Sequence, residues 1–161
     1  MISNSEIYEN IPTWENGNWT ITDFSSREEF SNFILDLFKE PGEYNFDETS
    51  LEFNFQARSF KDTGVYCTSP FKSKDFVKYW EDQKLKCKKG VIFKSKESVW
   101  YIPRDYYMWL NFLPIFNKEI QQFGFADIRD AQYHMALYEM LAELNFKHVA
   151  ILKKRQIASS Y

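Results

Sequence analysis

Apolar side chains recur along this chain with two periods, near 3.6 and near 2, and the switches between them mark the expected elements. Phe30, Phe33, Ile34, Leu37 and Phe38 return at helical spacing behind Ser26 and Glu29, a capping-box pair, until Pro41 and Gly42 stop them. Residues 51–60 satisfy both periods: Leu51, Phe53, Phe55 and Ala57 alternate as in a strand, while Phe53, Ala57 and Phe60 fit a helix turn, which is the favoured reading. Ser73 opens another helix with Phe76, Val77 and Trp80 on one face, ending before Gly90. Residues 91–93 and 99–102 then read as a hairpin turning at residues 95–97. Pro103 is placed as the first residue of a short helix through Tyr106, Tyr107 and Leu110, and residues 112–116 read as extended because Pro114 forbids a helix interior. Asp127 is the expected N-cap of a last helix, with Asp130 three residues on and Ala131, Met135, Tyr138, Leu141 and Ala142 along one face to about Asn145. Residues 149–152 are four apolar side chains in a row, the pattern of a strand buried on both faces of a parallel sheet. The expected fold class is therefore α/β.

Composition narrows the picture. The 161 residues are 44% hydrophobic and 19% aromatic, which suits one soluble domain with a bulky core and excludes disorder over most of the length. No apolar run approaches the roughly 18 residues of a membrane span, and the first nine residues lack the basic flank and apolar stretch of a signal peptide, so a cytoplasmic protein is expected. Cys67 and Cys87 stand 20 apart without a His or Cys near either, and are expected as reduced thiols. His134 and His148 have no carboxylate or cysteine at ligand spacing and read as structural.

The formal charge of −3 is unevenly distributed: residues 1–60 carry −9, residues 61–100 carry +5 and residues 101–161 carry +1. The middle section gathers Lys84, Lys86, Lys88, Lys89, Lys94 and Lys96, which read either as a solvated face or as a phosphate-facing strip on nucleic acid. The acidic first section, with Glu28, Glu29, Asp36, Asp47 and Glu48, argues against simple wrapping of nucleic acid and fits a solvated or partner-docking surface. Tyr101, Tyr106, Tyr107, Trp109 and Phe112 could stack nucleobases, but their neighbours Ile102, Leu110 and Leu113 place them in the core.

Chemistry concentrates at the end of the chain. A buried strand at 149–152 leading into Lys153, Lys154, Arg155, Gln156, Ile157, Ala158, Ser159 and Ser160 is the order in which nucleotide phosphates are held, by free amides and cations at the loop. Laid on G-x-x-x-x-G-K-[ST], Ser160 alone matches strictly, so the motif by itself reads sooner as a basic turn at a strand end.

The combined string says more. The segment Ile128, Arg129, Asp130, Ala131, Gln132, Tyr133, followed by a helix, an apolar run and residues 153–161, resembles the ATPase domain of bacteriophage large terminase subunits. These DNA-packaging motors carry an adenine-reading Gln after an Arg-Asp pair, and a deviant phosphate loop of Arg-Gln, an aliphatic, a small residue and a hydroxyl. Residues 99–112, VWYIPRDYYMWLNF, are similar to the run preceding that motif in crAss-like phages, so the likeness covers about residues 70–161. It implies that Gln132 reads adenine, that Lys153 or the adjacent Lys154 binds phosphate, and that Arg155 offsets phosphate charge. Ser159 and Ser160 would close the loop, with Ser160 on Mg²⁺. ATP and Mg²⁺ are the implied cofactors. For the full-length protein the implied partners are double-stranded viral DNA, the portal and the small terminase subunit, in the host cytoplasm at the procapsid.

The family places its acidic Walker B pair, coupling motif and nuclease domain after the loop, so the resemblance implies an amino-terminal fragment, inactive alone. Residues 1–70 would be an acidic, aromatic-rich helical lead-in, and residues 71–161 the start of a P-loop ATPase domain. Two rivals stand beside this reading: a non-catalytic interaction module with an acidic partner-binding face, and a fragment of a helicase-like ATPase.

Overall fold

The computed structural model describes residues 7–118 and 120–152. Its first element is a hairpin that alternation in a short acidic stretch conceals. Strand β1 (Ile11–Glu15) pairs antiparallel with β2 (Asn18–Thr22) in a register that leaves Asn16 and Gly17 as a two-residue turn, with φ of 50° and 85°. Positive φ at both positions is the I′ turn that matches strand twist, and Asn-Gly is its preferred sequence. Trp14 and Trp19 face each other across this hairpin with ring centroids 5.0 Å apart.

Helix α1 (Arg27–Asp36) starts as expected: Ser26 Oγ accepts from the Glu29 amide, while the Glu29 carboxylate accepts from the amide of Ser25 rather than that of Ser26. The ambiguous stretch resolves into a 3-10 turn (Glu48–Glu52) capped by Asp47, then α2 (Phe55–Thr63), closed by Gly64 at φ 76°. Asp47 also accepts from the hydroxyls of Ser95 and Ser98, which pins this turn to the β3–β4 hairpin described next.

Ser73 caps α3 (Lys74–Lys89), after which β3 (Val91–Lys94) and β4 (Val99–Ile102) form the expected hairpin. The buried face of α3 differs from expectation. Gln83 and Lys86 are buried, whereas Val77 and Trp80 are exposed, because the partners of α3 are α4 and β1, and these meet the Gln83–Lys86 side. Lys86 therefore leaves the lysine strip: its ammonium sits 3.6 Å over the Trp19 ring. Burial pushes its pKa down to about 8, against the pull of Asp82.

Pro103 sits at the N-cap of α4 (Arg104–Phe112), one position before the expected first turn, and a short hairpin of β5 (Ile115–Asn117) and β6 (Gln122–Gly124) follows. Helix α5 (Asp130–Leu144) begins two residues later than a cap at Asp127 requires. Arg129 takes the cap position in extended conformation, and Asp130 reaches the Ala131 amide at 2.7 Å from inside the first turn, so an Asp127 cap is not needed. The buried stripe of α5 is also rotated from the expected one: Tyr133, Ala136, Leu137, Met140 and Leu144 face the core, and Tyr138 is exposed.

Strand order is β2-β1-β3-β4, with β1 and β3 parallel and the outer pairs antiparallel. The parallel pair needs a long crossover, which α1, α2 and α3 supply. Alternation then puts Trp14, Trp19, Phe93 and Trp100 on one sheet face, where Phe53 packs on both Phe93 and Trp100. Phe30 of α1 meets Tyr101 edge-on from the next register position. One core thus draws on residues from both halves of the chain. The observed class is mixed α and β, with a mixed sheet and five α-helices among the described residues.

The run at 149–152 is not a strand. Ile151 is 45% and Leu152 99% exposed, and neither pairs with the sheet. A strand buried on both faces needs a neighbouring strand edge to join. The outward edge of β4 is closed at Tyr101, whose N–H donates to the Tyr133 hydroxyl at 3.3 Å.

Candidate functional site

The residues singled out for nucleotide chemistry divide into two groups. Lys153, Lys154, Arg155, Ser159 and Ser160 lie outside the described residues. Gln132 is described, and its placement follows from α5. Its neighbour Tyr133 is wholly buried against the sheet edge, which turns position 132 toward the gap between α4 and α5. There Gln132 is 8% exposed and lines a cavity of about 490 Å³. On its other side it borders a smaller cavity of about 200 Å³, walled by Ile115, Asn117, Asp127 and Arg129.

The larger cavity has two walls. From α5 come Gln132, Met135, Ala136, Glu139, Met140 and Glu143, spaced i, i+3, i+4, i+7, i+8 and i+11 on one helical face. From α4 come Arg104, Asp105, Tyr106 and Trp109. Tyr106 and Trp109, one turn apart, stack with centroids 5.7 Å apart and planes at 24°. Tyr106 is buried, and that burial drives its phenol pKa far above the ordinary value, so it is a neutral group at any physiological pH. Arg104 donates to Glu143 at 2.5 Å and bridges the two walls at the rim. Ile151 also lines this cavity, so the chain passes its rim just before Lys153.

The aromatic set splits accordingly. Tyr101, Tyr106 and Tyr107 are core residues, the hydroxyls of Tyr101 and Tyr107 being spent on Lys89 O at 2.8 Å and Gln83 Oε1 at 2.7 Å. Trp109, grouped with them by sequence, is half-buried and presents ring surface to the cavity. Met135, Glu139 and Met140 belong to no sequence motif, although counting i+3, i+7 and i+8 from Gln132 finds them. His134 is structural in its contacts: Nδ1 lies 2.9 Å from the Lys39 carbonyl and 3.3 Å from the Tyr44 hydroxyl.

Among the described residues no group of three or more His, Cys, Asp or Glu is placed to hold a metal, and both cysteines are free thiols. No described helix is long and apolar enough to cross a membrane. The cavity's volume falls within the span of small-molecule sites, and its walls mix apolar side chains with one buried amide and the charged groups of Arg104, Asp105, Glu139 and Glu143. Such a lining can hold a flat heteroaromatic ring and hydrogen-bond its edge. No family model, curated protein or solved structure matches this chain.

Proposed function

We propose that this chain is the amino-terminal part of a terminase-type DNA-packaging ATPase and contributes the base-reading side of its ATP site. The observation supporting this is the meeting of Gln132 and Ile151 at one cavity: the residue that the resemblance assigns to adenine borders the space from which the chain leads into Lys153. An amide both donates and accepts, which suits the N6 and N1 or N7 edge of adenine. The cavity's size fits the base, and Trp109, Met135 and Met140 offer it apolar surface. The triphosphate and Mg²⁺ fall to Lys153, Lys154, Arg155, Ser159 and Ser160, in which the cations offset charge and Ser160 is the Mg²⁺ ligand. Hydrolysis and DNA translocation belong, on this reading, to the protein of which this is a fragment.

The test uses the chain produced together with the coding sequence that follows Tyr161. That continuation is expected to hold an apolar run ending in Asp-Glu within roughly 100 residues. The extended protein is expected to bind a fluorescent ATP analogue, and Lys153→Ala and Gln132→Ala each to weaken binding by about tenfold or more. Binding unchanged in both variants would remove the assignment.

A further inference from the structure

We propose that the β2 edge of the sheet docks a second copy of this chain, the two β2 strands pairing antiparallel across a two-fold axis at Thr20. The inference is independent of the nucleotide reading above, because β2 contributes no residue to the α4–α5 cavity.

The two edges of the sheet differ. That of β4 is closed at Tyr101 by the Tyr133 hydroxyl, whereas among the described residues no strand pairs with the outer side of β2. Which backbone groups of β2 face outward follows from the turn. The two-residue loop makes Glu15 and Asn18 a hydrogen-bonded pair, and such pairs alternate along an antiparallel ladder. Thr20 and Thr22 therefore also bond to β1, while Trp19 and Ile21 turn their N–H and C=O groups outward. Pro12, which has no N–H, stands opposite Ile21, in agreement with this alternation.

This edge carries none of the devices that discourage strand addition. Residues 18–22 contain no charge and no proline, and their register with β1 is free of bulges. Trp19 and Ile21 are 45% and 51% exposed, and both project on the same face of the strand. The Lys86 ammonium, 3.6 Å over the Trp19 ring, holds the indole in place.

The occupant follows from the symmetry of these positions. Trp19 and Ile21 flank Thr20, so a two-fold axis there sets Trp19 of each copy opposite Ile21 of the other. Each of these pairs exchanges two backbone hydrogen bonds, about four in all, and lays an aromatic side chain against a β-branched one. On the other face Thr20 meets its own counterpart and Asn18 meets Thr22, both polar pairs. Asp23 falls opposite Gly17, so no like charges meet. One sequence thus supplies both halves of an isologous contact, which closes at two copies.

A single strand pair is at the small end of protein interfaces, so the dimer is expected to be weak, with a dissociation constant of about 10–100 µM. Sedimentation velocity of the 161-residue chain from about 1 µM to 500 µM should show the mass rising from one chain toward two and no further. Ile21→Pro removes only an outward N–H, and Ile21→Lys sets a cation on the edge; each is expected to weaken dimerisation about tenfold or more. Ile21 is exposed, so the lysine variant decides the matter even where the proline variant fails to fold. Thr20→Cys tests the register. On the axis, at a non-hydrogen-bonded pair, the two Cα atoms would stand about 4.5 Å apart, within disulfide range, so mild oxidation should link the chains. Asn18→Cys, opposite Thr22, should link no more than wild type, which already carries Cys67 and Cys87. A chain that stays monomeric over the whole range overturns the proposal. So does a dimer unchanged in Ile21→Lys, assembly beyond two copies, or linkage as fast through Asn18→Cys as through Thr20→Cys. None of these outcomes bears on the nucleotide reading, which Lys153→Ala and Gln132→Ala judge separately.

Discussion

Asn111 is the residue whose loss should be felt most widely, because it supplies a cap that α2 lacks. Helix α2 begins at Asn54 without a side-chain cap of its own. Asn111, wholly buried on α4, reaches across from 55 residues away and accepts from the Gln56 amide at 3.0 Å. Its amide nitrogen donates to Phe53 O at 2.8 Å and Tyr107 O at 3.0 Å, so one side chain serves both sides of the α2 start. Asn111→Ala strands the Gln56 N–H, worth about 1 kcal/mol as a lost cap. It also strands the Phe53 carbonyl, worth about 1–3 kcal/mol as a buried unsatisfied group, so the sum is about 3 kcal/mol. For a chain of this length that is a fall of about 6–12 °C in Tm. Asn111→Asp is the sharper variant. It keeps the acceptor for Gln56 but sets a carboxylate against two carbonyl oxygens, which raises its folded pKa above the unfolded value. Stability of that variant should then increase as pH falls through the raised pKa, since the neutral acid regains a donor. Urea denaturation followed by tryptophan fluorescence reads both effects. A change under about 0.5 kcal/mol for Asn111→Ala, with the slope unchanged, would refute the capping argument.

Two further substitutions test the sheet and its edge. Gly90 joins α3 to β3 at φ 76° and ψ −173°, and a Cβ there would lie 2.6 Å from the Ile102 carbonyl and 2.5 Å from the Tyr101 hydroxyl. Gly90→Ala is expected to cost about 3 kcal/mol or more, read as a lost or strongly lowered thermal transition; an unchanged transition would sink the packing account. Lys86, with a folded pKa near 8 against an ordinary 10.5, is charged in both states below pH 8 and carries the burial penalty there. Between about pH 8 and 10.5 the unfolded chain binds more protons, so this group's share of stability rises with pH across that window. Cys87, raised to about 11 by burial, works oppositely above pH 9, so the comparison is with Lys86→Met rather than along one curve. Lys86→Met is expected to be more stable than wild type at pH 7 by at most about 3 kcal/mol, the Trp19 contact offsetting part, with the advantage fading by pH 10. An equal gap at pH 7 and pH 10 would show that the penalty is not electrostatic.

What the sequence discloses is local, and what it hides is remote. Ser26 and Ser73 announce their helices because a hydroxyl three residues before an orphan amide is a nearest-neighbour event. The 91–102 hairpin is legible for the same reason. The β1–β2 hairpin carries a signal of the same local kind, Asn16-Gly17 between Trp14 and Trp19, set in a stretch dense in acidic residues. The parallel pairing of β1 with β3 is not legible, because Thr13 and Ile92 meet only after three helices have been laid between them. Lys86 shows the converse limit: beside Lys84 and Lys88 it is one more cation, and only the approach of β2 distinguishes it. At 149–152 the apolar run states that burial is favourable but names no neighbour, and among the described residues no strand pairs with it.

The site repeats this division within two adjacent residues. Tyr133 and Gln132 follow one another on α5, yet their side chains leave the helix about 100° apart, the turn per residue. Tyr133 takes the inward direction and closes the β4 edge through the Tyr101 amide; Gln132 takes the direction of the α4 gap. The orientation of the amide is thus fixed by a sheet contact one residue away, and the wall opposite is fixed by Tyr106, which touches both Tyr133 and Trp109. Tyr133 therefore positions both sides of the cavity, although it does not line it. Its ring meets Tyr44, Phe46 and Trp100 as well, so the cavity's geometry is set by the same aromatic layer that holds the sheet. A pocket built on that layer inherits the rigidity of the core, and this is what the role proposed for Gln132 requires if its amide is to discriminate by hydrogen-bond direction rather than by contact alone.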